Sequence, residues 1–138
     1  MEGKGHWMDR EDRIALPWMR RHTRNPYPKA IVWQQEEVLR PAFYWLQAPA
    51  NEMKRGKRVD ATIEGNTIQL SRCDYTSLTI WLNDELVNLD KKVTVKVGKR
   101  TVFRGRVART ESNIQASLDE RGDPRYSFPA CIHVQLTP

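Results

Sequence analysis

From residue 58 to the end of the chain, apolar residues recur at every second position, and this period restricts the fold more than any other feature. Val59, Ala61 and Ile63 alternate with polar neighbours, as do Leu78, Ile80 and Leu82, then Val93, Val95 and Val97, and last Ala130, Ile132, Val134 and Leu136. A period of two places one set of side chains on one face of a strand, so each segment needs an apolar layer to face. Gly65-Asn66 is a tight-turn pair leading into Thr67-Ile68-Gln69-Leu70 as a hairpin, and Gly98-Lys99 leads into Val102, Phe103 and a strand around Gly105-Val107. Thr110 can cap a helix that carries Ile114 and Leu118 four apart, with Gly122 as its left-handed stop and Pro124 preventing continuation. The pattern predicts a mainly β fold: an immunoglobulin-like antiparallel β-sandwich over residues 57–138, with one helix inserted before the closing strand.

The first fifty residues read differently. Asp9 to Arg21 is helical but broken, with Asp9 as cap, Asp12 in the first turn, and Ile14, Leu16, Trp18 and Met19 as the apolar face. Pro17 either kinks this helix or restarts it, and Asn25-Pro26-Tyr27-Pro28 ends it as an extended turn. Two short strands are expected at Ala30-Ile31-Val32-Trp33 and at Ala42-Phe43-Tyr44-Trp45-Leu46. Residues 49–57 are small, polar and basic, as a linker is. The chain therefore divides into residues 1–50 and 57–138.

With 138 residues, 39% of them hydrophobic, the chain can bury a core of its own. No apolar run reaches the length of a membrane span, so no membrane association is expected. Charged residues from Glu2 to Asp12 interrupt any signal-peptide stretch. The net charge of +6 permits an anionic partner, but the basic residues are scattered and no nucleic-acid motif accompanies them, so nucleic acid is disfavoured. Cys73 and Cys131 lack histidines at zinc-site spacing; one disulfide and two free thiols both remain open. Asp9, Glu11 and Asp12 beside His6 suit a helix start better than a metal site, and neither metal nor cofactor is expected.

Two residues are candidates for function. His6, in Gly3-Lys4-Gly5-His6-Trp7-Met8-Asp9, follows a flexible Gly-x-Gly turn, a setting that presents an imidazole as a general base. Trp81 is one of five tryptophans; if Leu78, Ile80 and Leu82 point inward, alternation turns Trp81 outward, where it would cover an interface or face a ligand such as a sugar.

The strings Gly5-His6-Trp7-Met8-Asp9-Arg10-Glu11-Asp12, Ala15-Leu16-Pro17-Trp18-Met19, Arg24-Asn25-Pro26, Ile31-Val32-Trp33 and Phe43-Tyr44-Trp45-Leu46 occur in that order. Ile68-Gln69-Leu70, Leu78-Thr79-Ile80, Leu82-Asn83-Asp84, Val93-Thr94-Val95 and Glu120-Arg121-Gly122-Asp123-Pro124 follow. Together they resemble the C-terminal end of bacterial α/β-hydrolase esterases of the carboxylesterase type, extracytoplasmic enzymes with an all-β tail. The resemblance implies that residues 1–50 are the end of a hydrolase domain, a helix plus short strands, and that residues 57–138 are an accessory domain. It also implies that His6 is the base of a Ser-His-acid triad. The chain departs from the family, and the oxyanion hole and most of the parallel sheet would be missing from it. No Gly-x-Ser-x-Gly elbow exists, and Ser71, Ser77, Ser112, Ser117 and Ser127 all follow His6, whereas in such hydrolases serine and acid precede the histidine.

The expected function is thus that of an accessory C-terminal domain of a serine esterase, catalytically silent alone. Its partner would be an upstream catalytic domain or a second copy of the chain, and its ligand an ester. The alternative is a free-standing β-sandwich module that binds carbohydrate or a protein.

Overall fold

The computed structural model describes residues 15–137, and these form two sheets on one core. The strands are β1 (Ala30–Gln34), β2 (Ala42–Phe43), β3 (Leu46–Gln47), β4 (Arg58–Glu64), β5 (Thr67–Cys73), β6 (Ser77–Leu82), β7 (Val93–Val97), β8 (Arg100–Gly105) and β9 (Ala130–Gln135). The helices are α1 (Ala15–Arg21) and α2 (Glu111–Arg121). One sheet has the order β1-β4-β5-β7-β8 and the other β2-β3-β6-β9. The alternating segments became strands with the anticipated faces buried. Val59, Ala61 and Ile63 face Ile80, Leu82, Ile132 and Val134 within a single apolar cluster.

Both predicted tight turns form. Ile63 pairs with Ile68 and Glu64 with Thr67, leaving Gly65 and Asn66 as the two turn residues; Val97 pairs with Arg100 around Gly98 and Lys99. Gly65 and Gly98 each open their turn at positive φ, 57° and 56°, which a side chain resists. Capping of α2 also follows the sequence. Thr110 Oγ1 accepts from the Asn113 backbone N–H at 3.1 Å, and Gly122, at φ 63°, donates to the Leu118 carbonyl. The apolar face foreseen for α2 is not what holds it. Ile114 is exposed, Leu118 is half-buried, and only Ser117 is buried. Its hydroxyl accepts the Phe128 N–H at 2.8 Å and donates to the Ile114 carbonyl at 2.9 Å, so one hydroxyl locks the helix to the segment behind it.

Three sequence expectations need correction. The sandwich is not purely antiparallel, because β5 and β7 pair in parallel, Ile68 beside Val95 and Leu70 beside Val97. Parallel neighbours need a crossover, and β6 supplies it by leaving for the other sheet. The single strand expected at residues 42–46 is a hairpin, since Phe43 pairs with Leu46 and the chain reverses at Tyr44-Trp45. The boundary expected between residues 50 and 57 cuts through both sheets: β1 pairs with β4, and β3 with β6. Residues 30–48 are thus part of the sandwich. Aromatic side chains explain why. Trp33 packs on Tyr75, and Trp45 is fully enclosed with its Nε1–H donating to the Pro28 carbonyl at 2.7 Å.

Replacing Ser117 by alanine leaves the buried Phe128 N–H without its acceptor. Urea denaturation should show a loss of about 1–3 kcal/mol, against a few tenths for alanine at the exposed Ser112 five residues earlier.

Candidate functional site

His6, the proposed base, lies outside the described residues. Trp81 is well defined, and the expectation that it is exposed is wrong: only 7% of it is accessible. Alternation along β6 does turn it away from Ile80 and Leu82, but a second apolar layer covers that face. Phe128 packs on it with ring centroids 6.4 Å apart, and Tyr27 and Tyr126 meet Phe128 at 6.0 and 6.5 Å. The indole Nε1–H donates to Gln47 Oε1 at 2.8 Å, satisfying its one polar atom. Trp81 is therefore a packing residue in this chain and no platform for a sugar.

The rest of that sheet face is polar. Gln47, Ser77, Thr79, Glu120, His133 and Gln135 are the polar residues lining a cleft of about 610 Å³, which the Pro41 and Ala48–Ala50 segments also border. His133 Nδ1 sits 2.8 Å from Thr79 Oγ1, and its Nε2 3.8 Å from Cys131 Sγ. The Cys-His proximity suggests a nucleophile and base, but burial raises the Cys131 pKa and so favours the unreactive thiol. Among the described residues no carboxylate hydrogen-bonds to His133. This is a cross-strand polar ladder rather than a catalytic dyad. Cys73, in the other sheet, is likewise free, its pKa pushed up to about 11 by burial. Among the described residues no group of three or more His, Cys, Asp or Glu is placed to hold a metal, and no helix is long and apolar enough to cross a membrane.

Two other surfaces stand out. The first is apolar. Among the described residues the large exposed hydrophobic side chains are Leu16, Trp18, Met19, Val32, Val38, Leu39 and Ile114, so all but one precede residue 40. Helix α1 buries none of its seven residues. At its far end His22 Nδ1 lies 2.7 Å from the Trp18 carbonyl.

The second surface is a cleft of about 240 Å³ lined by Arg24, Arg40, Phe43, Tyr44, Arg121, Asp123 and Tyr126. The sequence reading missed it. No local sequence pattern joins Arg24, Arg40 and Arg121, which lie on segments far apart in the chain. One anomaly marks the place. Tyr44 opens the β2–β3 turn at φ 51°, the conformation that glycine adopts at the start of the other two hairpin turns. A tyrosine there costs on the order of 1 kcal/mol or more in backbone strain, offset by what its ring touches: Phe43 edge-on at 4.7 Å, Tyr126 at 6.4 Å and the Arg24 guanidinium at 5.8 Å.

Comparison with protein-family models, curated proteins and solved structures finds no match to this chain.

Trp81→Ala should lower the unfolding free energy by about 3–5 kcal/mol, as deletion of a core aromatic does, with the loss read from denaturant midpoints. A variant that keeps full stability would return Trp81 to the surface. Alkylation of Cys73 and Cys131 by iodoacetamide at pH 7.5 should be many-fold slower in the native protein than in urea, because the thiolate is the reacting species; equal rates would contradict the burial of both thiols.

Proposed function

We propose that this chain works as the C-terminal accessory portion of a serine esterase, with α1 and the following loop seated on an upstream α/β-hydrolase domain. The observation that carries the reading is a set of six large apolar side chains before residue 40, Leu16, Trp18, Met19, Val32, Val38 and Leu39, which are 44–70% exposed among the described residues. Short helices are marginal in water, and packing on an apolar surface is what stabilises such a segment. The sandwich core offers none to α1. In the esterase resemblance, this stretch directly follows the histidine loop, so docking it would also fix the loop that carries His6. The reaction is acyl transfer from an ester to water, with His6 first taking the proton of the serine and then returning it to the leaving group. Serine, acid and oxyanion hole would all come from the upstream domain, and the chain alone would be silent.

The finer fold assignments belong to the same proposal. An immunoglobulin-like relationship is favoured by two sheets sharing one core. The strand crossover beside β5 is a departure that such a relationship has to accommodate. Extracytoplasmic placement rests on the esterase resemblance alone.

A free-standing module for carbohydrate is the second reading. The polar cleft over Thr79 and His133 favours it, while the enclosure of Trp81 removes its anticipated stacking surface.

The test is to read the coding sequence upstream of Met1 and express the longer frame. We expect an in-frame Gly-x-Ser-x-Gly followed by an acidic residue, and hydrolysis of p-nitrophenyl butyrate that falls about 10⁴-fold or more in kcat/KM in His6→Ala. A stop codon just upstream, or activity indifferent to His6, would sink the proposal.

A further inference from the structure

The cleft between the β2–β3 turn and the end of α2 has the composition of an anion site, and nothing in the esterase reading uses it. Three chain segments each bring an arginine to it: Arg24 from the loop after α1, Arg40 from the loop before β2, and Arg121 from the last position of α2. Among the described residues Asp123 is its one carboxylate, which leaves a surplus of two positive charges. Among the described residues, none of the three guanidiniums lies within ion-pair distance of a carboxylate, although Arg58, Arg72 and Arg109 elsewhere in the chain all do.

Arg121 makes the case specific. Its side chain is half-buried, its guanidinium lies 5.5 Å from the centroid of Tyr126 and 5.9 Å from that of Phe128, and its Nε–H is enclosed with no acceptor among the described residues. Its one hydrogen bond, from a terminal nitrogen to the Leu46 carbonyl, is long at 3.5 Å. Desolvation pushes its pKa below the ordinary arginine value, yet a guanidinium remains charged at neutral pH. A cation withdrawn from water without a counterion is costly, and the protein retains it here. The aromatic rings hold the cations in place: Tyr44 carries Arg24 and Tyr126 carries Arg121. Because both rings already bear a guanidinium, they are poor platforms for stacking a sugar and good supports for a fork of N–H donors. Tyr44 holds its ring here despite the left-handed backbone that this requires.

We propose that this cleft binds a doubly charged oxyanion, a phosphate or sulfate group, through Arg24, Arg40 and Arg121. The net charge selects the class. A dianion neutralises the surplus, whereas a monocarboxylate leaves one cation uncompensated. Arginine supplies paired parallel N–H donors that match phosphate and sulfate oxygens. The volume admits the anion alone or the anion on one small ring.

Calorimetric titration of the whole chain at pH 7.5 and constant ionic strength, with inorganic phosphate, sulfate, acetate and glucose 6-phosphate, tests this. One saturable site for phosphate and sulfate is expected, with acetate at least tenfold weaker. Tighter binding of glucose 6-phosphate than of inorganic phosphate would assign the source as a phosphate ester, and equal binding would assign the free anion. Arg40→Gln and Arg24→Gln alter exposed side chains, so the fold should survive, and each should weaken phosphate about tenfold or more. Asp123→Asn, which retains an oxygen for the Arg125 N–H, should tighten it. Lys99→Gln, in the β7–β8 turn, should change nothing. No saturable binding, or an equal loss in Lys99→Gln, would overturn the site.

Discussion

The fold depends on β6 leaving the sheet begun by β4 and β5, because only then do two apolar faces close on each other. A third strand continuing the meander would have left one sheet with an open apolar side. After β6 the chain must return to the first sheet, and Asn66 guides it. The Asn66 side chain donates to the Asn88 carbonyl at 2.7 Å and accepts the Asn88 N–H at 2.9 Å, while its backbone carbonyl accepts from Thr94 at 2.9 Å. One turn residue therefore binds the returning loop on both sides and delivers β7 next to β5. Leu86, Val87 and Leu89 bury themselves along the way, and Asn83 Oδ1 accepts the N–H groups of Glu85 and Leu86 at the loop's start. The parallel pair is the geometric result of that return.

The far side of the β2-β3-β6-β9 sheet holds a smaller second layer, built from Trp81, Phe128, Tyr27 and Tyr126. This layer gives α2 its place. The helix is polar almost all round, so it cannot dock by apolar burial of its own. It docks through Ser117 to the Phe128 backbone and through Arg121 to the aromatic rings. The same arrangement withdraws a guanidinium from water and brings it near two others. Packing that orders the helix thus also creates the concentration of positive charge at its end.

The apolar residues from Leu16 to Leu39 stand in contrast to this economy. Elsewhere among the described residues, large hydrophobic side chains are buried or partly buried against the core, with Ile114 at the edge of exposure. A protein that encloses Trp45, Leu46 and Phe128 completely is not short of ways to bury an apolar group. Trp18, Met19, Val32 and Val38 are nonetheless exposed among the described residues. Basic charge, by comparison, says less. Part of it is held in local pairs such as Arg58–Asp60 and Arg72–Asp74, each spanning two residues along one strand or its end.

Much of this architecture was legible in the sequence, and for a local reason. Strand faces follow from period-two alternation, the turns at Gly65 and Gly98 from a backbone that only glycine adopts freely, and the ends of α2 from Thr110 and Gly122. Each of these needs information from a few neighbouring residues. What tertiary structure decided involves partners far away in the chain. Alternation correctly turned Trp81 away from the main core, yet only the fold brings Phe128 over it. Nothing near Tyr44 announces a reversal, because a tyrosine accepts the left-handed turn only when distant rings and an arginine meet its side chain. The join between residues 30–48 and the sandwich was hidden in the same way, since strand pairing across such separations is set by register and not by composition. The arginine cleft is the extreme case: three charges, unremarkable singly, acquire meaning from proximity, and proximity is what a sequence does not state.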